Sequence, residues 1–113
     1  MRLIVTIIIF VHALVHLYGF VNERFLIDAT HMRWSKIIRV SGRTTRLLGT
    51  LWLTTCMIFS LSAVGLIIEA DWWRIVAGVG VVLSQSLIII YIKHAWPSTF
   101  GNICIILAII WLK

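Results

Sequence analysis

The chain has 113 residues, 61% of them hydrophobic and only 12% charged, with one proline, Pro97, and a formal net charge of +6. Soluble domains are about 45–50% apolar and about 25% charged, and a soluble chain this short could not hide so much apolar surface; a bilayer covers it and leaves backbone polar groups to be satisfied inside helices. The basic residues flank the apolar segments, where they set topology and meet anionic headgroups, and with no nucleic-acid signature or glycine-rich phosphate loop beside them, DNA and RNA are excluded as partners.

The first apolar run, residues 3–21, reads LIVTIIIFVHALVHLYGFV. At about 1.5 Å per residue it is long enough to cross a hydrocarbon core of about 30 Å. It is too long for the apolar region of a signal peptide and no small-x-small cleavage site follows, so an uncleaved membrane helix is expected.

Residues 23–46 form the one polar stretch of any length. Arg24, Arg33, Lys36, Arg39, Arg43 and Arg46 are offset only by Glu23 and Asp28, and Met32, Trp34, Ile37, Ile38 and Val40 sit among them. This mixture predicts a helix lying in the headgroup region, with an irregular solvated loop as the alternative. Asp28 or Thr30 would cap such a helix and Ser41-Gly42 would end it. Arg33, Lys36, Arg39, Arg43 and Arg46 are the candidate contacts to lipid headgroups or to a protein partner.

A second span is expected over 47–68, then the turn Glu69-Ala70-Asp71, then a third span over 72–92. Trp72, Trp73, Tyr91 and Trp96 suit the two interfaces where amphipathic rings settle. Pro97 cannot continue a helix but suits a helix start, so a fourth, short span is expected over 98–112. The expected fold is therefore all-α: a single transmembrane domain over 1–113, built as a four-helix bundle with a basic interfacial segment between the first two helices. Seven of the ten Lys and Arg residues lie in the first and third connections. The positive-inside rule then puts both termini outside and residues 23–46 in the cytoplasm.

Polar groups within the spans are the candidates for function, because burying them costs free energy unless they find partners. His12 and His16, four apart, share one face of the first helix at about 6 Å. Gly19 and Glu23 continue that stripe, which should point into the bundle with Gly19 permitting close helix contact. By depth, Gln85, Thr54 or Thr55, and Asn102 fall near the histidines, which predicts a polar layer. Three uses are open to it. The residues can hydrogen-bond across helices and fix the packing. His12 or His16 can ligate a haem iron or another metal through a neutral imidazole nitrogen, although no third ligand stands out. His16 and Gln85 can line a pocket for a quinone, a lipid or a small solute. Cys56 and Cys104 read as small buried hydrophobes, His31 and His94 as solvated or headgroup-bound, and Gly78 and Gly80 as close-packing positions.

The segments H-x-L-x-H-L-x-G-F at residues 12–20, Leu51-Trp52-Leu53, Trp72-Trp73, Val82-Leu83-Ser84-Gln85 and Phe100-Gly101-Asn102 occur in that order. Together they resemble a group of small uncharacterised bacterial four-helix membrane proteins, loosely DoxX-like. The resemblance implies four helices, a bacterial inner membrane and shared polar positions at His12, His16 and Gln85. DoxX-type proteins are associated with quinone-linked respiratory complexes, which is fold-level analogy for this chain.

The expected function is a small non-catalytic accessory or assembly subunit, packed beside other membrane proteins or its own copies. The alternatives are a redox subunit holding haem, metal or quinone at His12 and His16, and an oligomeric solute pore or carrier. An enzyme acting on a soluble substrate is disfavoured, because acid–base catalysis needs a positioned titratable pair and only the histidines offer one.

Overall fold

Long apolar runs without proline become helices, and the caps decide where they start. The computed structural model describes residues 1–25, 36 and 41–112, with the backbone alone at residues 24 and 25. The described residues form five helices and no strand: α1 (Arg2–Phe25), α2 (Gly42–Ile67), α3 (Trp73–Ile90), the single turn α4 (Ile92–Ala95) and α5 (Ser98–Trp111). Three stretches, Arg2–Glu23, Gly42–Ile67 and Trp73–Ile90, are long and apolar enough to cross a membrane, with mean hydropathies of 2.3, 1.8 and 1.8. Helix α5 is apolar but has 14 residues, about 21 Å at the usual rise.

Two boundaries differ from expectation. Ser41 was expected to end a helix and instead begins one. Its backbone is extended (φ −65°, ψ 163°) and its side chain accepts a hydrogen bond from the Thr44 amide at 3.2 Å. A serine hydroxyl that satisfies an otherwise orphaned amide makes an N-cap, so α2 starts at Gly42 rather than 47. Arg43 and Arg46 thereby ride on the first turns of α2, both exposed. Helix α1 likewise runs on past residue 21 and carries Glu23 within it. The expected interfacial helix, with Arg33 and Arg39, lies outside the described residues.

Helix α1 packs on α2 and α5, and α3 packs on the same two. The molecule measures 44 × 21 × 19 Å, the shape of helices side by side. On α1 the buried positions Val5, Ile9, His12, His16, Gly19 and Glu23 follow a 4-3-4-3-4 spacing that keeps one seam facing its neighbours, and Thr6, Ala13 and Asn22 widen that seam. One apolar cluster joins Val5, Ile9, Phe59, Leu66, Trp73 and Ile105 among others. A second joins Leu48, Trp52, Leu87, Ile88, Tyr91 and Ala95. The histidines lie between the two.

The outer surface is as apolar as the core: Leu14, Ile75, Val82 and Ile110 are each at least 60% exposed. Water tolerates patches of that extent poorly and lipid does not penalise them.

Glycines mark the closest approaches. A Cβ on Gly19 would enter the Trp52 ring and one on Gly80 would meet Phe59 and Ile58, whereas one on Gly78 would meet nothing within 4 Å. Gly80 is thus a packing position and Gly78 is not. The α2–α3 turn closes with Glu69 N–H donating to Leu66 O (3.2 Å) and Ala70 N–H to Gly65 O (2.9 Å), while Glu69 sits at φ 58°. This is a Schellman arrangement with glutamate where glycine usually stands.

Three substitutions test the packing through unfolding of the purified protein in detergent. Gly19→Ala should destabilise by about 1–3 kcal/mol through overpacking. Gly78→Ala should be neutral or stabilising by up to about 1 kcal/mol from helix propensity. Glu69→Gly should not destabilise, because it relieves a left-handed backbone that costs about 1 kcal/mol for a side-chain-bearing residue; a clear loss would show that the glutamate side chain matters more than its backbone.

Candidate functional site

The 3.5-residue seam of α1 turns both imidazoles inward, where α3 and α5 supply their partners. His16 is fully buried and His12 is 4% exposed. His16 Nδ1 lies 2.8 Å from the His12 carbonyl oxygen, one turn back on α1, and His16 Nε2 lies 2.7 Å from Ser84 Oγ on α3. His12 Nε2 lies 2.7 Å from Asn102 Oδ1 on α5 and 3.4 Å from Ser84 Oγ. Asn102 Nδ2 donates to Gln85 Oε1 at 3.0 Å, and Gln85 Nε2 donates to Thr99 Oγ1 at 3.4 Å.

Proton positions follow from this geometry, taking both imidazoles as uncharged. A carbonyl only accepts, so His16 Nδ1 carries the proton and His16 Nε2 presents a lone pair. Ser84 therefore donates its single proton to His16 Nε2, which leaves the Ser84 oxygen as an acceptor toward His12. Asn102 also turns an oxygen to His12. Both contacts require His12 Nε2 to be the donor, so the lone pair of His12 is on Nδ1.

Aromatic rings enclose the pair. The imidazoles meet edge to face with centroids 4.7 Å apart; Phe59 lies 5.0 and 5.3 Å from His12 and His16, and Trp52 lies 5.1 Å from His16. Trp52 in turn packs on Tyr91 at 5.3 Å.

A second polar group lies further along the same seam. The Glu23 side chain is fully buried and takes the Tyr91 hydroxyl at 2.6 Å, the Asn22 amide at 3.1 Å, and Lys36 Nζ at 3.1 and 3.2 Å on its two oxygens. Lys36 Nζ also sits 5.6 Å over the Tyr91 ring.

Of the residues singled out in the sequence, the structure joins His12, His16, Gln85 and Asn102 in one network. Thr54 is elsewhere: it is exposed on α2 and its hydroxyl donates to the Thr50 carbonyl at 2.8 Å. Thr55 is buried but bonds back to Leu51 O at 2.8 Å. Lys36 turns inward to Glu23 rather than outward to headgroups. Sequence reasoning missed Ser84, which sits at the centre of the network, and the pairing of Glu23 with Tyr91 and Lys36. A signal existed for both: Ala77, Ser84 and Tyr91 repeat every seven residues, and all three are buried.

The donor set decides which cofactors fit. Both Nε2 atoms are held by protein groups and the two rings touch each other, so no macrocycle fits between them. Among the described residues no group of three or more His, Cys, Asp or Glu is placed to hold a metal ion. His16, with both nitrogens bonded and no exposed surface, presents nothing to a quinone.

A double-mutant cycle on His16→Ala and Ser84→Ala should give a coupling free energy of about 0.6 kcal/mol, up to about 1.7, as interhelical hydrogen bonds in lipid do; additive effects would show the contact to be incidental. Lys36→Ala should destabilise by about 3 kcal/mol because it takes a cation away from a buried carboxylate, whereas the Glu23→Gln/Lys36→Met pair should lie closer to wild type. Equal losses in the two variants would mean that the ion pair itself, rather than the cost of breaking it, carries the stability.

Comparison of the chain with protein-family models, with curated proteins and with solved structures finds no match, so the functional reading rests on the geometry above.

Proposed function

We propose that the chain is a small four-span subunit of the bacterial inner membrane, without catalysis of its own, that packs beside or assists the assembly of a larger membrane complex. One observation carries the reading: apart from His12 Nδ1, the polar atoms of the layer bond to one another or to the helix that carries them. His12, His16, Ser84, Asn102 and Gln85 form a hydrogen-bonded network across three helices. A site that works on a substrate keeps donors and acceptors aimed at an open volume; this network instead ties α1, α3 and α5 together.

In this reading α5 is the fourth span. Arg43 and Arg46, exposed at the start of α2, meet anionic headgroups on the cytoplasmic side together with Arg33 and Arg39, and both termini lie outside. The apolar outer surface takes lipid, a partner subunit or a second copy of the chain.

Gentle extraction from native membranes followed by mass measurement tests the proposal. The chain should migrate with larger membrane proteins, and its reduced-minus-oxidised absorption spectrum should be featureless. A monomer that purifies alone would overturn the subunit reading, and haem bands lost in His12→Ala/His16→Ala would replace it with the redox one. Labelling of single cysteines placed at residues 1 and 43, in a background with Cys56 and Cys104 replaced, should reach the first from outside only and the second from the cytoplasm only.

A further inference from the structure

The polar layer satisfies every imidazole nitrogen but one. His12 Nε2 is bound inward by Asn102 and Ser84, yet His12 Nδ1 has no hydrogen-bond partner among the described residues, although the residue is only 4% exposed. The atom is not sealed into the core. It faces Gly101, where any Cβ would collide with the Nδ1 edge of the ring. His12 and Gly101 together form the floor of a groove between α1 and α5 of about 360 Å³. Its walls are apolar, chiefly Ile7, Val11 and Val15, with Ser98 at the rim. It opens on the outer face of α1, where Ile7 and Val11 are more than half exposed.

We propose that this groove binds a membrane-soluble molecule bearing a hydroxyl group, which donates its proton to His12 Nδ1. The observations specify the ligand from three sides. The groove opens on the apolar surface, so the molecule arrives through the hydrocarbon. The walls take a hydrocarbon body. The floor is a lone pair, because the chain of donors from His16 through Ser84 commits the His12 proton to Nε2, so the ligand must bring a donor. Gly101 is required here because a side chain in its place would displace the ring. The inference goes beyond a packing role and rests on the membrane placement alone.

The probes are nonylphenol, its methyl ether, decanol and a straight-chain ketone of matching length, added to the protein in lipid nanodiscs. Binding is read by native mass spectrometry and by the NMR signal of isotopically labelled His12 Nδ1. The phenol or the alkanol should bind one per chain, and the tighter of the two identifies the source as aromatic or aliphatic. The ether, with the same shape and no donor, should bind about tenfold more weakly, the worth of one hydrogen bond. The Nδ1 resonance should move with the hydroxyl compounds and not with the ether. Val11→Phe, at an exposed wall position away from the histidine network, should block the groove and abolish both effects. Equal binding of phenol and ether, a ketone that binds as tightly as the phenol, or binding that survives Val11→Phe would each overturn the proposal. A chain that fails to enter membranes would remove the membrane placement on which both readings rest, whereas each outcome above overturns the groove alone, so the two failures are separable.

Discussion

Ser84 has one proton to give and spends it on His16, and that allocation orients everything around it. Because the His16 Nδ1 proton goes to a carbonyl, the hydroxyl proton must go to Nε2, which leaves the serine oxygen facing His12. His12 then donates, Asn102 and Gln85 follow, and three helices are linked through side chains none of which carries a formal charge. In hydrocarbon such links do what hydrophobic contacts cannot. Lipid tails are as apolar as leucine, so burying apolar surface between helices gives no preference for one register over another. A slide of one turn along α1 would keep the apolar contacts largely in kind while leaving several polar atoms without partners. The histidine layer is therefore the element that makes the register unique.

The ends of the structure are secured by charge and by backbone groups. Arg74 donates to the Leu112 carbonyl at the end of α5 and stacks near the Trp73 ring. Arg2 reaches the Leu66 carbonyl at 3.4 Å, near the end of α2. These arginines meet helix C-termini, where carbonyls lack partners and the dipole favours cations. At the opposite end Glu23 and Lys36 form a pair whose carboxylate is fully buried. Uncharged bonding in the middle and charged bonding at the ends is the distribution that a low-dielectric slab imposes.

Much of this was legible in the sequence. Helix content, the three long apolar stretches and the inward stripe of His12, His16, Gly19 and Glu23 all follow from composition and from a period near 3.5. So does the company of Gln85 and Asn102, because depth in a membrane is set by counting along the span. Two kinds of fact were not legible. Depth says nothing about which side of a helix a residue occupies, so Thr54 was counted in the layer although it faces outward, and Ser84, which faces inward, was not. Local chemistry also competes at boundaries: Ser41 can end one helix or cap the next, and the Thr44 amide decides for the cap. Glu23 was placed on the inward stripe, but its partners were not legible: Tyr91 and Lys36 are 68 and 13 residues away in the chain, and only the packing brings them to its carboxylate.

Helix α5 has 14 residues against 26 in α2. At the usual rise α5 spans about 21 Å, some 9 Å less than an average hydrocarbon core. On the four-span reading proposed above, a bilayer thick enough for α2 would have to thin beside α5, and lipids adjust to such a step at a cost of a fraction of a kcal/mol per ångström. The molecule would then act on its own solvent, favouring shorter acyl chains along the side of the groove that leads to His12.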